Sequence, residues 1–129
     1  MNHLPPELQD DFRKGIEEFN DRLFYDCHET LEEVWKSYQE PDRELIQGVI
    51  QIGVAYYHLG RDNHEGARKL ISRGLPRVER FCPSHFGLEL ADFVARVRDD
   101  QLLLESPGKT SLEMFHIPRI PFISRARDC

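Results

Sequence analysis

The sequence predicts an all-α fold, a single compact bundle of about five to six antiparallel-packed helices over residues 1–105 with an irregular tail over residues 106–129. Two observations lead there. Apolar residues recur at helical spacing through most of the chain, and the breaks between these stretches are short, at Asn20-Asp21, Pro41-Asp42, Gly60 to Asn63 and Cys82-Pro83. A third is negative: no apolar/polar alternation is long enough to form a strand, and there is no Gly-rich phosphate loop. Short connections between amphipathic helices imply antiparallel neighbours.

The elements follow in order. Pro5-Pro6 opens a helix with Leu8, Phe12, Ile16 and Phe19 on its apolar face, Pro6 being suited to the first turn. A second helix, from about Leu23 to Tyr38, carries Leu23, Phe24, Cys27, Leu31, Val34, Trp35 and Tyr38. A third continues after Pro41-Asp42 to about Leu59, apolar around most of its circumference through Leu45, Ile46, Val49, Ile50, Ile52 and Tyr56. Gly48 and Gly53 within it are expected where another helix comes close, since glycine costs about 1 kcal/mol against alanine in a helix. Asn63 caps a fourth helix with Ala67, Leu70, Ile71 and Leu75. Pro76 is expected to start a separate short piece through about Phe81, and a last helix, carrying Leu90, Phe93, Val94 and Val97, to begin between Ser84 and Leu88. Phe19-Asn20 and Leu59-Gly60 lead into similar helices, which suggests hairpin packing; the diagnostic residues of a tetratricopeptide-type array are absent.

At 129 residues the chain is expected to be one domain with a single core. Its net charge of −6 is uneven: residues 1–105 hold 13 basic and 21 acidic side chains, and residues 106–129 hold 4 and 2. An acidic body argues against nucleic acid as a partner, which calls for clustered Lys and Arg. The apolar run from Leu45 to Leu59 is interrupted by Gln47, Gln51 and His58 and is too short to span a bilayer, so no membrane partner is expected. Cys27, Cys82 and Cys129 are odd in number and form no CxxC; together with the lack of a signal-peptide pattern they point to a reduced, cytoplasmic setting, with Cys27 as a small buried thiol. The tail contains Pro107, Pro118 and Pro121, yet Met114, Phe115, Ile117, Ile120, Phe122 and Ile123 are too apolar for an idle linker. It either wraps over its own helices or reaches a second subunit in a homodimer, bringing its arginines to an acidic surface.

The candidate chemistry lies on the second and third helices. His28 and Glu32 are one helical turn apart, so their side chains can meet. Trp35 lies on the same flank, between them and the apolar face; its default role is in the core. At helical spacing, Gln47, Gln51 and His58 occupy a sector about 40° wide. An antiparallel second and third helix would set Gln47 and Gln51 near Trp35, and His58 near the start of the second helix. The stripe reads as a wet face, as a buried polar network fixing register, or as a site for a ligand or divalent metal. Tyr56 and Tyr57 differ by 100°, so at most one enters such a pocket. Glu29 and Glu33 default to the outer face, while His3, His85 and His116 show no partner spacing. His28, Glu29 and Glu32 look like a zincin HExxH helix only superficially, because Glu32 stands where the second histidine ligand belongs.

Taken together, Phe19-Asn20, His28-Glu29 with Glu32 and Trp35, Leu45 to Gly48, Tyr57-His58, and Asn63 with Gly66-Ala67 resemble the small all-helical proteins of domain-of-unknown-function family 309. The resemblance covers roughly residues 12–100 and leaves out the tail. It implies a compact helical bundle and marks His28, Glu29, Glu32, Trp35, Gln47, Gln51 and His58 as motif positions. No activity or cofactor comes with it, but it raises Glu29, which would then be buried beside His28. Three functions are in contention. The leading one is a non-enzymatic module binding a small molecule or protein in a cleft between the second and third helices, lined by His28, Glu29, Glu32, Trp35, Gln47, Gln51, Tyr57 and His58. The second is a metal-dependent hydrolase with His28, Glu32 and His58 as ligands and Glu29 as general base. The third is a structural polar network in a homo-oligomer.

Overall fold

The computed structural model describes residues 3–106 and 112–123. Pro107, Cys129 and the tail arginines Arg125 and Arg127 lie outside the described residues. Five α-helices dominate: α1 (Pro6–Asn20), α2 (Phe24–Ser37), α3 (Arg43–Gly60), α4 (His64–Glu79) and α5 (Ala91–Glu105), with a single 3₁₀ turn at Leu112–Met114. The all-α expectation holds. Consecutive helices pack on one another, α1 on α2, α2 on α3, α3 on α4 and α4 on α5.

Helical periodicity selects most of the core, but Leu23, expected on the apolar face of α2, precedes that helix and is exposed. Phe12, Ile16 and Phe19 of α1, Cys27, Leu31 and Val34 of α2, and Leu45, Ile46, Val49 and Ile52 of α3 are buried together with Ile71, Leu75, Phe93 and Val97. Each such side chain contributes about 1.5–3 kcal/mol on leaving water. Phe19 sits edge-on to both Phe24 and Phe93, tying α1 to α2 and α5.

Where α3 crosses α4, Gly48 and Gly74 face each other. A Cβ at Gly74 would lie 2.8 Å from the Gly48 carbonyl oxygen, and one at Gly48 would lie 2.8 Å from Val78. The helices approach more closely than side chains would permit, which is the compensation expected for a glycine inside α3. Asn63 caps α4 as anticipated, its Oδ1 accepting from Gly66 N at 3.0 Å.

Two expectations about the chain near residue 80 are corrected. Pro76 does not begin a new piece; α4 runs through it to Glu79. Proline removes one backbone donor, but Gly74, Leu75 and Val78 around it are buried against the bundle, and this packing holds the helix together. The last helix starts later than expected, at Ala91, because residues 84–89 form a small hairpin. Its strands β1 (Ser84–His85) and β2 (Leu88–Glu89) pair antiparallel, His85 with Leu88. The two-residue connection Phe86-Gly87 has φ of 52° and 77°, the left-handed pair that a tight hairpin turn demands. A left-handed phenylalanine costs about 1–3 kcal/mol. The Phe86 ring is buried edge-on to Phe12 and Tyr38, which supplies the compensation.

The described part of the tail lies on its own chain. Asn20, expected only as a break, grips Ile120 from both sides: Ile120 N donates to Asn20 Oδ1 at 2.6 Å and Asn20 Nδ2 donates to the Ile120 carbonyl at 3.0 Å. Beyond it the tail runs along the hairpin, with Glu89 N donating to the Pro121 carbonyl and Ile123 N to the Gly87 carbonyl. Earlier in the tail, fully buried Asp100 of α5 accepts from the amides of His116 (2.8 Å) and Ile117 (3.2 Å) and from the Tyr56 hydroxyl (2.6 Å). Burial, then the Asp100 charge, push the Tyr56 hydroxyl well above the usual tyrosine range, so it remains a donor.

Candidate functional site

The α2–α3 pair runs antiparallel, and its two ends are marked by stacked side chains. At one end the Tyr25 and Tyr57 rings lie 5.9 Å apart. At the other the Arg43 guanidinium sits 3.7 Å over the Trp35 ring. Between them runs a seam with His28, Glu32 and Trp35 on the α2 side and Gln47, Val54 and Tyr57 on the α3 side, all half-buried. Trp35 thus does two things: one part packs against the core, and one face carries a cation, a stacking role beyond its default placement in the core. Its Nε1–H is buried without a hydrogen-bond acceptor among the described residues, and so is Arg43 Nε.

His28 reaches Glu32 across one turn at 3.8 Å, a loose contact with both groups partly in water. Tyr25 links it to the far helix: ring centroids step from His28 to Tyr25 (6.1 Å), to Tyr57 (5.9 Å) and to His58 (6.1 Å). Of the two tyrosines, Tyr57 is the one on the seam, while Tyr56 is buried against Asp100. Glu29 is exposed, as the helical wheel has it, and not buried beside His28.

Two of the polar residues lean elsewhere. Gln51 turns toward α4, where its Oε1 accepts from Arg77 Nη1 at 3.1 Å while Arg77 Nε donates to Glu44 at 2.9 Å. His58 meets Asn63 at the α3–α4 turn, at 3.5 Å between Nδ1 and Nδ2. The Gln/His sector is therefore split, with Gln51 and His58 serving the α4 side. A single residue's rotation decides between neighbours, and helical spacing alone does not say which neighbour lies where. Among the described residues no group of three or more His, Cys, Asp or Glu side chains is placed to hold a metal ion, so His28, Glu32 and His58 do not form the three-donor set that the hydrolase expectation required. No cofactor is implied.

Cys27 is fully buried as expected, and burial, reinforced by the charge of Glu18, pushes its thiol up to about 12, far from a reactive thiolate. No helix among the described residues is long and apolar enough to cross a membrane.

A second constellation was not visible in the sequence. Tyr38 Oη donates to Asp42 Oδ1 at 2.6 Å, and His85 Nε2 lies 2.9 Å from Asp42 Oδ2. Burial alone would raise the Asp42 pKa, but the hydrogen bonds from Tyr38 and His85 and the charge of His85 hold it below the usual carboxylate range. Burial and the bond to Asp42 push Tyr38 the other way, upward. An ionised carboxylate only accepts, which assigns the Nε2–H tautomer to His85. The rings of Phe81 (4.8 Å) and Phe86 (4.6 Å) pack tilted against the imidazole, whose side chain is only 12% exposed. Its partner stands 43 residues earlier in the chain, in a loop, so no periodicity announces it.

Fold and site thus define a small all-α protein with a polar and aromatic seam and no assignable metal centre among its described residues. Residues 12–70 match the family model described as Domain of unknown function (DUF309), which bears out the resemblance read from the sequence over a shorter span than roughly 12–100. Over 57 residues the chain is 39% identical to a Bacillus subtilis (strain 168) protein described as "Uncharacterized protein YpuF". That match covers 42% of this chain and 32% of the relative, so about a third of the relative's length is shared.

Proposed function

We propose that the protein is a non-enzymatic binding module whose α2–α3 seam receives a partner. The observation that carries this is Trp35: an indole N–H buried without an acceptor among the described residues, on a ring already stacked with Arg43, in a seam of half-buried polar and aromatic groups. A buried donor left unpaired costs about 1–3 kcal/mol, and a partner that draws Arg43 aside and supplies an acceptor recovers it. Exposed Tyr25, 56% accessible beside Tyr57, adds apolar area at the other end of the seam. His28, Glu32 and Gln47 supply polar contacts between the two ends; Glu29 stands at the rim, and Gln51 and His58 support α3 from the α4 side. Tyr and Trp are the residue types that dominate binding energy in known interfaces.

Trp35 is the sole tryptophan of the chain, so its fluorescence reports on this seam alone. Peptides selected by display against the immobilised protein are expected to shift Trp35 emission on titration and to lose affinity for the Trp35→Ala and Tyr57→Ala proteins, with helical circular dichroism retained. Selected peptides that leave the emission unmoved and bind both variants as well as the parent would overturn the proposal.

A further inference from the structure

Away from the seam, the N-terminal segment, α1, the 84–89 hairpin and the tail line an open-mouthed cavity of about 540 Å³. That is within the range of ordinary small-molecule sites. Its lining is unusual for a chain of net charge −6: Arg13, His85 and His3 contribute to it, and no Asp or Glu does among the described residues. The rest of the wall is mainly apolar, with Phe12, Phe86 and Phe122 prominent.

Arg13 and His85 are held in place. The Arg13 guanidinium sits over the Phe122 ring, 4.0 Å from its centroid, and its contact with Glu17 is long at 3.8 Å between two groups each 58% exposed. That leaves the guanidinium free to donate to a guest. His85 is fixed from behind: its Nε2–H is committed to Asp42, itself fixed by Tyr38, so Nδ1 is the nitrogen left to meet a guest. Phe122 in turn is positioned by the bridge between Leu88 and Phe122 and by the clasp of Asn20 on Ile120.

From this arrangement we infer that the cavity binds a small organic carboxylate, with the anion held at Arg13 beside the His85 ring and an apolar body against Phe12, Phe86 and Phe122. Planar donors of Arg suit a carboxylate, and the aromatic walls suit a short alkyl or aryl chain. This site is independent of the α2–α3 seam.

Octanoate and the uncharged octanamide serve as probes, titrated into the full chain and followed by backbone amide shifts. Octanoate is expected to bind in the millimolar range or tighter, with the largest shifts in residues 84–88 and around Arg13, and about tenfold more tightly than octanamide. Arg13→Gln, a change at an exposed side chain, is expected to lower octanoate affinity about tenfold and leave octanamide unaffected. His85→Gln is expected to act in the same direction, and Trp35→Ala to change neither. Equal affinity for the two probes, an Arg13→Gln protein that binds octanoate like the parent, or no binding in the millimolar range would each overturn the inference.

Discussion

Replacing Asp100 with alanine is expected to destabilise the protein by about 2–5 kcal/mol. The carboxylate is fully buried and accepts three hydrogen bonds, from the Tyr56 hydroxyl and from the amides of His116 and Ile117. His116 is exposed, so its amide finds water once the carboxylate is gone; Tyr56 and Ile117 are buried and their donors are stranded. Two stranded donors at about 1–3 kcal/mol each give about 2–6 kcal/mol, and the released cost of burying a carboxylate removes part of that. Against a total stability of about 5–15 kcal/mol this is a large fraction. Urea unfolding at neutral pH should show the midpoint lowered by about 1–2.5 M for a slope of about 2 kcal/mol/M. Tyr56→Phe, which removes one donor to a charged acceptor, should cost about 1.5–3 kcal/mol. The double variant should be less destabilised than the two single effects together, because the phenol has no acceptor once Asp100 is gone. Additive costs, or a midpoint shift below about 0.3 M for Asp100→Ala, would show that this carboxylate does not hold α3 and the tail together.

Other expectations follow from the same contacts. The folded-state pKa of Asp42 is lowered, so its stabilisation is complete above the unfolded carboxylate value of about 3.9 and is lost as pH falls through the folded value; the stability gap between the parent and Asp42→Asn should close in acid below about pH 4. A gap that widens on acidification below about pH 4 would reverse the sign of that linkage. Gly74→Ala should destabilise by about 1–3 kcal/mol in spite of alanine's better helix propensity, since its Cβ would meet the Gly48 carbonyl; thermal unfolding reads this directly, and a higher melting temperature would contradict the close crossing. Arg43→Ala should cost about 0.5–1 kcal/mol and alter Trp35 emission, measured by fluorescence-detected denaturation; unchanged emission would argue against the stacking of Arg43 on the indole.

Much of the helical scaffold is legible in the sequence because it rests on local rules. Phe12, Ile16 and Phe19, or Cys27, Leu31 and Val34, announce a buried face by spacing alone, and Asn63 announces a cap by residue type. What escapes is whatever depends on distant partners. Two-residue strands such as Ser84–His85 carry too few residues to show an alternation, and Pro76 looks like a boundary until α3 is there to hold Leu75 and Val78. Within the candidate site, spacing groups His28, Glu32 and Trp35 on one flank and allows at most one of Tyr56 and Tyr57 into a pocket; the bond from Tyr56 to Asp100 is what separates the two. Spacing does not reveal that Gln51 bonds Arg77, because the helix opposite each face of α3 is decided by the fold. The Tyr38–Asp42–His85 chain joins three loop and helix-end residues with no shared period, and His85 therefore looks partnerless.

The clasp made by Asn20 has a consequence for how the tail can vary. Asn20 meets the amide and carbonyl of Ile120, and Asp100 meets the amides of His116 and Ile117, so neither reads a side chain of the tail through hydrogen bonds. These hydrogen bonds tolerate any side chain at the donating positions except proline, so the choice of residue there is set by packing, which buries Phe115, Ile117 and Ile120. Asn20 lies inside the segment that matches the family model, and the tail lies outside it. The tail is thus fastened by one residue within that segment, Asn20, and by one beyond it, Asp100.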